Sequence, residues 1–199
     1  MNMSNYLIFS IVLSVLLIIP FINSIFCNKP TVRMFIFKKI LDVLIPLCLF
    51  IAVVIFESSK EEIVGYSNFP CVPLLLSLFN ILLFLIQMIL FKKEDKALTI
   101  SVYAIYLSLL IGLILNFATV YYSLYTINSN YFSNVPGTTL EKAFEFIYFT
   151  FMVMITYSGD SISAVCIIPK MVQMLQVCIC YLYLADIISI LVKSKRSHN

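Results

Sequence analysis

The side chains able to do chemistry are few, and their spacing narrows what that chemistry is. Six cysteines stand at 27, 48, 71, 166, 178 and 180. None is paired at metal-ligand spacing, and Cys48, Cys178 and Cys180 lie inside apolar runs. A free cysteine behaves as a small hydrophobe, so these are expected to be structural, with neither a disulfide framework nor a metal site. The one histidine, His198, is next to last, so a histidine-based catalytic or metal centre is not expected. Two features remain. Thr156-Tyr157-Ser158-Gly159-Asp160 is a polar stretch that closes an apolar run. Asp186 lies inside another apolar run, where Gln173, Gln176 and Cys180 share one helical face at about 100° per residue. Polar groups in such a run either face water or bond to a neighbouring helix. For Gln173, Gln176 and Cys180, lining an axis and joining two helices fit equally. Asp186 fits a cation-attracting inner mouth, and it also fits an interfacial position near Lys193 or Lys195.

The elements that carry these residues follow from composition. Of 199 residues, 62% are hydrophobic, 15% aromatic and 12% charged. A soluble domain is roughly half apolar and a quarter charged. A soluble protein this apolar would have too little polar surface, so an all-α integral membrane protein is expected. The net charge is +3, and no basic patch suggests a nucleic-acid partner.

A helix needs about 20 apolar residues to cross a bilayer. Five runs qualify: Tyr6–Cys27, Ile40–Phe56, Val72–Phe91, Ala97–Tyr125 and Met171–Val192. The flank Met1–Asn5 carries no positive charge, unlike a signal peptide, so the first run is expected to be a retained span. Asn80 and Gln87 in the third run are expected to serve helix packing. Ser101, Ser108, Gly112, Asn116 and Thr119 form a small-polar packing stripe in the fourth.

Orientation follows from basic residues, which concentrate on the cytoplasmic side. Lys29, Arg33, Lys38, Lys39, Lys92, Lys93, Lys96, Lys193, Lys195 and Arg196 fall on one side of a five-span chain. Lys60, Lys142 and Lys170 fall on the other. The expectation is a multi-pass protein of the cell membrane with its N-terminus outside and its C-terminus cytoplasmic. Tyr121, Tyr122 and Tyr125 then sit at the outer end of the fourth span, where an aromatic belt is expected.

A sixth apolar segment, Ala143–Thr156, is interrupted by Glu145 and is too short to cross. Pro136-Gly137 marks a turn before it, and Thr138 with Glu141 makes a capping box at its start. Its length suits a re-entrant helix that enters and leaves on one side. An amphipathic or buried helix on the outer surface fits as well.

The order of span, short helix, polar stretch and span resembles the pore module of potassium channels. Ile147-Tyr148-Phe149-Thr150-Phe151 is similar to the pore-helix pattern Leu-Tyr-Phe-Ser-Phe. Gly159-Asp160 stands where the family's selectivity filter ends. Lys170–Val177 followed by Tyr181-Leu182-Tyr183-Leu184-Ala185 is similar to the inner helix of small bacterial members. The resemblance covers about residues 100 to 193. The filter-like stretch is one residue shorter than the family's Thr-Val-Gly-Tyr-Gly-Asp and has one glycine in place of two. Filters replace an ion's hydration shell with backbone carbonyls, so the shortening removes about one layer of oxygens. Cys180 aligns with a hinge glycine of the family.

Apolar length reads residues 1–96 as three transmembrane helices of undecided role, and charge reads 194–199 as a basic cytoplasmic tail; the resemblance implies 97–193 as a channel-like module. It implies an ion-channel subunit, a homo-tetramer passing potassium or another monovalent cation with weak selectivity and no cofactor. The ion would meet Thr156, Tyr157, Ser158, Gly159 and Asp160, with Gln173, Gln176, Cys180 and Asp186 as inner lining. Spans one to three lack the regularly spaced arginines of a voltage sensor. One alternative is a non-conducting channel-like protein that acts as a regulatory or interaction partner. Another is an intramembrane aspartyl protease, since Tyr157–Asp160 is similar to the Gly-x-Gly-Asp motif and Asp186 or Asp42 would be the second acid. The leading reading is not an enzyme.

Overall fold

The computed structural model describes residues 32–58, 70–91, 99–156 and 162–196, and they are predominantly helical. α1 spans Val32–Ser58, α2 Cys71–Phe91 and α3 Thr99–Ile127. A 3-10 turn, Ser129–Tyr131, leads to β1, Phe132–Ser133. Then follow α4, Thr139–Met154, β2, Ser163–Ala164, and α5, Ile167–Arg196. Among the described residues, three stretches are long and apolar enough to cross a membrane: Ile40–Ser58, Tyr106–Ile127 and Ile167–Ser189. Cys71–Ile86 in α2 is a shorter apolar stretch. The first expected run, Tyr6–Cys27, lies outside the described residues.

The helices outrun the apolar runs for local reasons. α1 starts at Val32 and carries Arg33, Lys38 and Lys39 in its opening turns. α5 takes Pro169 into its first turn, where the missing N–H has no helical partner to lose. It runs on to Arg196, so Lys193, Lys195 and Arg196 lie in the last turn of a helix. Lysine and arginine suit that position because carbonyls there carry partial negative charge.

α3 is the centre of the bundle. Of its spanning stretch 67% is buried, against 28% for that of α5. The approach of α1 to α3 is set by a notch. Pro46 sits inside α1 and has no N–H to give the carbonyl of Asp42 one turn earlier. Gly112 of α3 lies against that carbonyl, and a Cβ there would collide with it. Glycine therefore admits an approach that other residues block. The Gly112 carbonyl accepts from Asn116 Nδ2 at 2.9 Å. Asn116 Oδ1 in turn accepts from Asn80 Nδ2 of α2 at 3.3 Å. The expected packing stripe is thus observed at Gly112, Asn116 and Thr119, and Asn80 joins two helices as expected. The side chains of Ser101 and Gln87 lie outside the described residues.

The C-terminal end of α3 departs from expectation. Tyr121 and Tyr122 are fully buried and Tyr125 partly so; within the chain they form core and not a belt. Tyr122 stacks on Phe146 of α4 at 5.1 Å. Tyr121 meets Phe149 edge-on at 5.0 Å, and Phe132 of β1 stands edge-on to Tyr121, Phe146 and Phe149. Such pairs add to area burial by about 0.5–1.5 kcal/mol each. The tyrosines are drawn inward because a second helix, α4, covers them.

Gly112→Val should force α1 off α3 at the Asp42 carbonyl. The expected loss is about 1–3 kcal/mol, read as an earlier unfolding midpoint on titrating SDS into mixed micelles, with Gly137→Ala as a control in open space.

Candidate functional site

The distinctive part of the molecule lies between α3 and α5. β1 and β2 pair antiparallel, Phe132 opposite Ala164 and Ser133 opposite Ser163. The two serine hydroxyls are 2.6 Å apart, and Val165 N donates to Tyr131 O at 2.9 Å. The chain therefore leaves α3 and joins α5 at the same end of the bundle. α4 is an excursion between those two points.

Local chemistry fixes where α4 starts. Asn134 turns the chain with φ 60°, in the left-handed region that asparagine tolerates. The capping box is present as expected. Glu141 N donates to Thr138 Oγ1 at 3.3 Å. Thr138 N and Thr138 Oγ1 donate to Glu141 Oε2 at 3.1 and 2.6 Å. These bonds, the hydroxyl's first and the backbone N–H second, hold the Glu141 carboxyl below the usual glutamate range.

α4 then descends along α3. Lys142 lies over the Tyr125 ring, Phe146 against Tyr122 and Phe149 against Tyr121. Ala143, Phe146, Phe149, Thr150, Met152 and Val153 face inward, while Phe144, Tyr148, Phe151 and Ile155 are exposed. The helix is apolar on both faces, which is unusual beside water. It ends at Met154, and two residues on Thr156 has φ 58° and an N–H donating to Val153 O at 3.1 Å. A β-branched residue at positive φ is an outlier, and such strain gathers at functional segments. Thr156 opens the filter-like stretch. Tyr157, Ser158, Gly159 and Asp160 lie outside the described residues.

Gln176 closes the arrangement. It is 1% exposed. Its Oε1 accepts from Tyr121 Oη at 2.8 Å, and its Nε2 donates to Thr150 O at 2.8 Å. One amide of α5 thus holds α3 and the last turns of α4. Fifteen residues back along α3, Tyr106 Oη donates to Asp186 Oδ2 at 2.7 Å, and Tyr183 Oη donates to the Tyr106 carbonyl at 2.5 Å. The two ties run in opposite order along α3 and α5, so those helices are antiparallel.

Three of the four residues expected as inner lining are buried within the chain. Gln176, Cys180 and Asp186 are buried, and Gln173 is half-buried. Of the two accounts open for Gln176, helix joining is the one observed. Asp186 meets a tyrosine hydroxyl, a partner the sequence reading did not name. The outward face of α5 is apolar, with Met171, Met174, Leu175, Tyr181, Leu182 and Ile188 exposed. Cys48, Cys71, Cys166, Cys178 and Cys180 are free thiols. Glu57 of α1 and Lys142 of α4 form a further pair at 3.3 Å. Eighty-five residues separate them, so no spacing signal marks them.

No protein-family model matches the chain, and no curated protein or solved structure shows significant similarity to it.

Two measurements probe this geometry. Gln176→Leu strands the buried Tyr121 hydroxyl and should cost about 1–3 kcal/mol. Adding Tyr121→Phe should recover part of that loss, read as a non-additive double-mutant cycle of unfolding in mixed micelles. The Glu141 carboxyl has a lowered pKa in the folded chain. Its contribution is present above the ordinary glutamate range and is lost as pH falls through the lowered value. Amide exchange over 139–142 should be faster in Glu141→Ala than in the native chain at neutral pH, and the difference should vanish in acid.

Proposed function

We propose that this chain is a membrane protein crossing the bilayer five times, with α4 as a re-entrant helix and a potassium-channel-like subunit built around it. The observation that carries this reading is the closed excursion between α3 and α5. Paired strands return the chain to the side it left, and a 16-residue helix descends between them. Irregular backbone at membrane depth survives when it is buried in protein or lines a water-filled cavity. The residues after α4, Thr156 to Asp160, are suited to lining one, with backbone carbonyls as ion ligands.

The subunit works as part of a homo-oligomer, a tetramer by the family resemblance. One filter-like stretch per chain supplies only one wall of a pore. Gln176 and Asp186 of α5 are engaged within the chain, so the two are not offered to a conduction path. The permeant ion is a monovalent cation, weakly selected because the stretch is one residue short. The N-terminus lies outside and the C-terminus in the cytoplasm, following the segregation of basic residues.

A second reading is favoured by the same apolar face of α5. A chain with the channel-like arrangement but no conduction would act as a regulatory or interaction partner.

Purified protein in liposomes separates the two. The channel reading expects cation efflux above that of empty vesicles, a several-fold drop in Asp160→Asn and fourfold cross-linked species. A tetramer with no flux supports the non-conducting reading. A monomer with no flux sinks both.

A further inference from the structure

The helices before the pore-like module have a physical link to it. Glu57 stands one residue before the end of α1, and Lys142 lies in the first turn of α4. Lys142 Nζ is 3.3 Å from Glu57 Oε1, with side chains 15% and 9% exposed respectively. The same ammonium lies over the Tyr125 ring at 5.3 Å from its centroid. A charge pair this shielded from water is screened little by salt. A lysine held by a carboxylate and an aromatic face at once is fixed in direction as well as place.

We infer that Glu57 and Lys142 are positioning residues, through which α1 sets the tilt of α4 and so the place of Thr156, the strained residue at which the filter-like stretch begins. This rests on the channel reading of that stretch. The geometry is that of a rod held at two points. Near its far end, α4 is held by Gln176 at the Thr150 carbonyl. Near its start, the polar anchor outside its own cap is Lys142, with Tyr122 Oη on the Thr139 carbonyl at a longer 3.4 Å. From Lys142 to Met154 the rod is about 18 Å long. A tilt of a few degrees at the Lys142 end would displace its C-terminal end by about 1 Å, and misplacement on that scale matters for a site that must match an ion. Glu145, one turn after Lys142, has a buried carboxylate oxygen without a hydrogen-bond partner among the described residues.

The test uses the full chain in nanodiscs and in liposomes, with Glu57→Gln, Lys142→Met, their double variant and Lys142→Arg. Hydrogen exchange is read separately over 139–145 and over 150–156. Each single variant should speed exchange in both windows by about fivefold or more, while the double variant is no worse than the larger single. Lys142→Arg should stay within about twofold of the native chain. The same singles should change the potassium-to-sodium flux ratio. Additive effects, or exchange confined to 139–145 with an unchanged flux ratio, would overturn the inference. If a single variant does not assemble, Glu57→Lys combined with Lys142→Glu should restore assembly, and its failure would count against the pair. Native liposomes without flux remove the channel reading, and the exchange in the far window still decides the coupling. Unchanged exchange in a conducting protein removes the coupling and leaves the channel reading standing.

Discussion

An amide buried among apolar helices has nowhere to put its donor and acceptor except on its neighbours. Gln176 meets that demand by taking the hydroxyl of Tyr121 and giving to the carbonyl of Thr150. In an apolar interior an unmet polar group costs about 1–3 kcal/mol, so the three helices cannot drift apart independently. The aromatic cluster of Tyr121, Tyr122, Phe132, Phe146 and Phe149 then packs around a point already fixed. The paired strands sit above it, and the descent of α4 ends just below it. Hydrogen bonds give the direction here, and the rings give the bulk.

The other side of α3 solves a different problem with the same economy. Pro46 removes a donor from α1, Gly112 removes a side chain from α3, and the two deletions face each other at the Asp42 carbonyl. Close backbone approach through small residues is how helices associate where lipid offers no hydrophobic drive. Asn116 and Asn80 extend the contact to α2. α3 is thus held by a polar and a steric device on one flank and by an amide and aromatic rings on the other.

The sequence made much of this legible, and the limits have physical causes. Apolar length located α1, α2, α3 and α5, because burial in any apolar medium leaves the same signature. Boundaries were missed where helix propensity outlasted apolarity, at Arg33 and Arg196. The capping box at Thr138 was readable because its partners are three residues apart. The small-polar stripe at Gly112, Asn116 and Thr119 was readable for the same reason. Tyr121 was misjudged as a belt residue, since a tyrosine near a helix end looks alike whether lipid headgroups or another helix covers it. Gln176 and Asp186 showed as polar residues in an apolar run, but their partners, Tyr121 and Tyr106, lie 55 and 80 residues away. Lys142 was counted only as an outer charge. Its partner Glu57 is remote in the chain, and proximity across such distance leaves no periodic trace.

The two-residue strand pair has one more meaning. By fastening Ser133 to Ser163 it makes everything between them a closed loop hung from a finished frame. Loop closure depends only weakly on length, by about 0.6 kcal/mol for each doubling. A residue gained or lost after α4 therefore changes the loop and leaves α3 and α5 where they are. The polar stretch at 156–160 is a place where such a frame absorbs a change of length, and the frame would keep its shape while that length was tuned.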